Sequence, residues 1–120
     1  MLMDEYRRSW ALRYLREAAD EIKMARRDSR ALDLIPDALR KAQIAIYYSL
    51  GEPAFIEQIV EESSEGRFSS DSPILRCLVE IERAIKRLES AQGPYELIIS
   101  ESDQIISLAS RIVSLFLSNG

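Results

Sequence analysis

Carboxylates spaced by one helical turn are the first feature of this chain with chemical potential. Glu17 and Glu21, with Asp20 between them, form one such pair, and Glu57 and Glu61 form another. Glu101 and Asp103 stand near the start of the last helical stretch. Acids converging from several helices can hold Mg²⁺ and, through it, the phosphates of a nucleotide. That chemistry needs carboxylates facing inward across a bundle. Glu57 and Glu61 instead flank Ile59 and Val60 on what reads as the outer side of their helix. Solvated charge is the better account, and no metal site is assigned.

No histidine occurs among the 120 residues. Imidazole acid–base catalysis, Ser-His or Cys-His nucleophile pairs and nearly all transition-metal sites are thereby removed. The single cysteine, Cys77, lies among Leu75, Leu78 and Val79, a setting for a small packed residue rather than a nucleophile. One cysteine also excludes an intrachain disulfide. No catalytic residue and no cofactor are expected.

Tyr6, Trp10 and Tyr14 follow one another at helical spacing, with Arg7, Arg8 and Arg13 interleaved and Arg16 beyond. Aromatics between cations can stack on nucleic-acid bases, and these four arginines are the candidate anion-binding set. The charge balance weighs against that use. Net charge is −4, and phosphate binding depends on neutralising cations. Packing of the aromatics on a neighbouring helix or a second subunit is the preferred reading, with Tyr6 and Trp10 as a candidate contact. Arginine outnumbers lysine 13 to 3, a preference reported in some heat-adapted families, which hints at a thermophilic or archaeal source.

Helical elements must position these residues. Ala11, Leu15, Ala18, Ile22 and Ala25 recur by four and three, so a first helix runs from about Met3 to Arg27. After a weak break at Asp28–Asp33, a second helix is predicted from Pro36 to Leu50, stopped by Gly51. Pro53 starts a short third helix. Ser63–Ser72 reads as a loop. Ser72 and Pro73 read as the cap and first turn of a fourth helix reaching Ser90. A fifth fills Tyr95 to Leu117. No strand pattern appears. The expectation is a single all-α domain over residues 1–120, a four-helix bundle with one additional short helix. Ile22, Leu39, Ile46, Leu78, Ile81, Ile85, Ile105 and Ile112 are expected to be buried together. No leader and no membrane-length apolar run is read, so a soluble cytoplasmic protein is expected.

The last helix is apolar on too many sides. Its apolar arc runs from Leu97, Leu108 and Leu115 through Ile105, Ile112 and Phe116 to Ile106, Val113 and Leu117. That spans roughly 200°, against the ≳100° stripe one core requires. Ser100, Ser107, Ser110, Ser114 and Ser118 occupy the rest. An arc this wide predicts a homodimer seated on the flank Ile99, Ile106, Val113 and Leu117, with Ser107, Ser110 and Ser114 allowing close approach.

The stretches YLREAADEIKMAR (14–26), DALRKAQIAIYYSLG (37–51) and ESDQIISLASRIVSLFLS (101–118) give an order of parts that resembles the HEPN-like helical proteins of prokaryotes. The resemblance implies a four-helix bundle that commonly dimerises, often paired with a small nucleotidyltransferase-type partner. Active members are ribonucleases carrying an Arg-x(4–6)-His motif near the last helix. Here Arg111 has no histidine partner, so the resemblance implies a member without that activity. Protein–protein association as a homodimer is the expected function. A HEPN-like module associated with nucleic acid or nucleotide is the alternative, and a Mg²⁺-dependent nucleotide hydrolase is a distant third.

Overall fold

The computed structural model describes residues 2–66, 72–90 and 92–118, without the side chains of residues 2–4 and 118. Among them every regular element is helical. The order is α1 (Leu2–Arg27), a short 3-10 turn (Ser29–Ala31), α2 (Leu34–Leu50), α3 (Pro53–Ser64), α4 (Pro73–Glu89) and α5 (Tyr95–Ser118). No described helix is long and apolar enough to cross a membrane.

Local chemistry accounts for the boundaries. Asp28 caps the 3-10 turn by accepting from the Arg30 amide at 2.9 Å, and the same carboxylate holds the Arg30 guanidinium. α2 begins two residues before the expected Pro36. Proline is tolerated there because the first-turn amides of a helix have no intrahelical acceptor to lose. Gly51 ends α2, its amide donating to the Tyr47 carbonyl at 3.0 Å. Ser72 caps α4 through the Leu75 amide, with Pro73 in the first turn. The expected loop at Ser63–Ser72 is in part the end of α3, closed by Gly66 at φ +79°, a backbone angle that favours glycine. Residues 67–71 of that loop lie outside the described residues.

Packing follows the small residues. Ala11, Ala18 and Ala25 of α1 and Ala38, Ala42 and Ala45 of α2 are all fully buried. Their lack of bulk lets these two helices share the most extensive contact in the chain. α5 lies across both, and the α3–α4 pair packs on α2. α4 and α5 touch only sparsely. The molecule measures 41 × 33 × 19 Å, so its short axis is two helix diameters of about 10 Å. Ile22, Leu39, Ile46, Leu78, Ile81, Ile85 and Ile112 are buried as expected, and Ile105 is half-buried against the same core. Each such side chain contributes about 1.5–3 kcal/mol on leaving water. Ile74 of α4 is 36% exposed at the mouth of a cleft.

Candidate interaction surface

α5 buries one column of residues and presents the opposite one. Ile99, Ser102, Ile106, Ala109 and Val113 recur by three and four, and all are buried against α1 and α2. The small Ser102 and Ala109 let α5 settle close to those helices. Ile99, Ile106 and Val113 therefore belong to the core of one chain and cannot form the seam of a homodimer, contrary to the sequence expectation. Leu117, on the same flank, is half-buried against that core. The arc is as wide as its composition indicates, but the flank left outside is the other one. Leu97 is 60% exposed, Leu115 58% and Phe116 36%, with Leu108 half-buried between them.

Ser107, Ser110 and Ser114 are exposed. No described helix closes on them. The aromatic row of α1 does find a neighbouring helix. Trp10 and Tyr14 both stack on Tyr48 of α2, at 6.3 and 6.0 Å between ring centroids. Tyr6 meets Trp10 edge-on at the outer end and stays largely exposed. Trp10 is thus engaged within the chain, and Tyr6 alone of the pair offers an open ring.

The candidate anion-binding arginines do not act as one set. Arg8 donates to the Leu117 carbonyl at 3.5 Å, near the end of α5. Arg13 bonds Glu17 at 3.2 Å and lies 5.1 Å from the centre of the Trp10 ring. Arg16 is exposed, and Arg7 is half-buried.

The acids are held by cations. The Lys41 ammonium sits among Glu17, Glu21 and Asp37 at 3.2, 3.0 and 3.0 Å. The hydrogen bonds it donates to the Asp37 and Glu21 carboxylates hold it firmly protonated. Its hydrogen bond, in turn, lowers the Glu17 carboxyl. Arg87 binds Glu101 at 2.9 Å, and Arg26 binds Asp103 at 2.8 Å. Glu57 and Glu61 are exposed on the outer side of α3. Among the described residues, no group of three or more His, Cys, Asp or Glu is placed to hold a metal ion. Burial raises the Cys77 thiol, which disfavours the reactive thiolate.

The main polar feature that sequence reasoning missed joins α2 to α4. Glu82 is buried, and one of its carboxylate oxygens accepts from Gln43 at 2.6 Å and from Arg40 at 2.8 Å. Arg40 also grips Glu89 through two hydrogen bonds of 3.1 and 2.8 Å. Burial by itself pushes the Glu82 carboxyl up. The hydrogen bonds from Gln43 and Arg40, with the charges of Arg40 and Lys86, outweigh it and leave the group below its ordinary value. The signal was present: Glu82 interrupts the apolar stripe of Leu78, Ile81 and Ile85. A carboxylate inside such a stripe requires a partner on the facing helix.

An apolar cleft of about 260 Å³ opens where α3, α4 and the end of α5 meet, lined by Leu50, Ile56, Ile59, Ile74 and Phe116 among others. Phe116 joins this cleft to the end of α5. Comparison with protein-family models, curated proteins and solved structures gives no match to the chain.

Proposed function

We propose that the chain works by protein–protein association rather than catalysis, as a four-helix bundle with α3 as a short addition. The observation that carries this is the outer face of α5, where Leu97 and Leu115 stand 60% and 58% exposed. They flank half-buried Leu108, on a helix whose opposite face already fills the core. Soluble surfaces carry single exposed leucines without consequence, but a row of them along one helix marks a contact. The charged groups support the same reading. Of the acids that could have gathered a metal, Glu17, Glu21, Glu101 and Asp103 are paired with Lys41, Arg87 and Arg26, and Glu57 and Glu61 face outward. A nucleic-acid role of the HEPN-like kind needs a contiguous basic face, whereas Arg8 and Arg13 are turned to the Leu117 carbonyl and to Glu17.

Photo-crosslinking tests it. A photoreactive residue at Leu115, introduced in the cells the chain comes from, is expected to give discrete protein adducts. The same residue at Gln58, exposed on α3, should give none. Equal background from both positions would overturn the association reading.

A further inference from the structure

The outer face of α5 is complementary to itself, and we propose that it forms the seam of a homodimer in which two copies of α5 run antiparallel about a two-fold axis at Ile106. This rests on the association reading above and names its partner as a second copy of the chain.

Leu97, Glu101, Gln104, Leu108, Arg111 and Leu115 are spaced alternately by four and three. That is the a/d spacing of a helix–helix seam. At about 100° per residue they lie opposite the buried column of Ile99, Ile106 and Val113. All are exposed except half-buried Leu108. The stripe is symmetrical about its middle. Leu97 and Leu115 lie nine residues either side of Ile106, Glu101 and Arg111 five, and Gln104 and Leu108 two. In an antiparallel pair each a position meets a d position of the other helix. An axis at Ile106 then sets Leu97 against Leu115, Gln104 against Leu108 and Glu101 against Arg111, each of them twice.

The flanks fall within one residue of the same axis. On one side half-buried Ile105 comes close to its own copy. On the other Ser100 meets Ser114 and Ser107 meets its own copy, so the small serine side chains permit close approach there. Charge selects the direction. A parallel pair would stack Glu101 on Glu101 and Arg111 on Arg111, whereas the antiparallel pair makes two opposite-charge contacts. Glu101 already accepts from Arg87 and is still 47% exposed, so its carboxylate would lie between two guanidiniums. The spacing would suit any helix, but the residue types, leucine at both ends and opposite charges five residues either side of the middle, match the stripe to its own reverse. A second copy related by a two-fold axis requires such a match, because the same patch must serve as both halves of the contact.

Cysteine pairing tests the register in a Cys77→Ser background. Leu97 and Leu115 are about 27 Å apart along one helix, far beyond the ~7 Å limit between the Cα atoms of a disulfide. The double variant Leu97→Cys/Leu115→Cys is therefore expected to give a covalent dimer on mild oxidation, and either single variant none. Dimers from a single variant would mean a parallel seam and overturn the proposal, as would the absence of a dimer from the double variant. Charge exchange gives an independent reading that needs no new bond. Arg111→Glu should weaken self-association about tenfold, and Glu101→Arg added to it should recover most of the loss. No change from Arg111→Glu would also overturn the proposal. If these tests fail while position 115 still crosslinks to a different polypeptide, association stands and the homodimer falls. If position 115 crosslinks to nothing, both fall.

Discussion

Removing Arg40 isolates the buried charge that ties α2 to α4. Arg40→Ala takes away the 2.8 Å bond to Glu82 and both bonds to Glu89. A hydrogen bond to a charged, buried group is worth about 1.5–3 kcal/mol. The Glu89 pair is about one-third exposed on both sides and adds roughly 0.2–1 kcal/mol. Glu82 would keep Gln43 and, at 3.4 Å, Lys86, so the loss should fall short of the 3–5 kcal/mol typical of a stranded buried charge. A cost of about 2–4 kcal/mol is expected at neutral pH. At roughly 4 °C per kcal/mol for a chain of this size, the melting midpoint should fall by about 8–16 °C. Urea unfolding followed by circular dichroism, with an unchanged slope, measures it. The pH dependence is the sharper check. The folded-state value of Glu82 is lowered, so its stabilisation is complete above the unfolded value of about 4.3 and is lost as pH falls through the folded value. The gap between wild type and Arg40→Ala must therefore narrow in acid, where Glu82 is neutral in both. A deficit below about 0.5 kcal/mol at neutral pH, or one that widens in acid, would refute this account of the network.

Four further outcomes follow from burial. Ile81→Ala, at a site 4% exposed, should cost about 2–5 kcal/mol by urea unfolding. The Ser102 hydroxyl is fully buried and makes no hydrogen bond among the described residues. Ser102→Ala should therefore raise stability by about 1 kcal/mol, from a removed unpaired polar group and better helix propensity. Val113→Glu places a charge at a fully buried site and should abolish cooperative folding. Leu115→Glu, two residues further on at an exposed site, should leave the circular dichroism spectrum and melting midpoint within about 2 °C of wild type.

Much of the fold is visible in the chain because period and caps agree. The alanines of α1 and α2, the Ser72–Pro73 start of α4 and the Gly51 stop all specify their elements locally. The facing of α5 was not legible for a physical reason. Its arc has two apolar flanks of nearly equal hydrophobicity, and hydrophobicity cannot say which turns inward. Volume decides: the column containing Ser102 and Ala109 fits closely against α1 and α2, while the leucine column is bulkier. A reading that weighed side-chain size on each flank would have placed Val113 inside and Leu115 outside. The Arg40–Glu82 contact was hidden differently. The acid on the apolar stripe of α4 could be seen, but its partner lies 42 residues away, and no spacing rule reaches across two loops. Trp10 was read as packing on a neighbouring helix or a second subunit, and Tyr48 as its partner emerges only from how α1 and α2 cross.

The association claim is tested most directly by the mass of the chain in solution as concentration rises. Sedimentation equilibrium of the wild type should start from the 13.7 kDa monomer and climb toward twice that value as protein approaches about 1 mM, the regime in which small interfaces self-associate. Leu115→Glu, equally folded, should stay at the monomer mass throughout. A wild type that remains at 13.7 kDa across the range, or a Leu115→Glu variant that associates as the wild type does, would contradict a homodimer built on the outer face of α5.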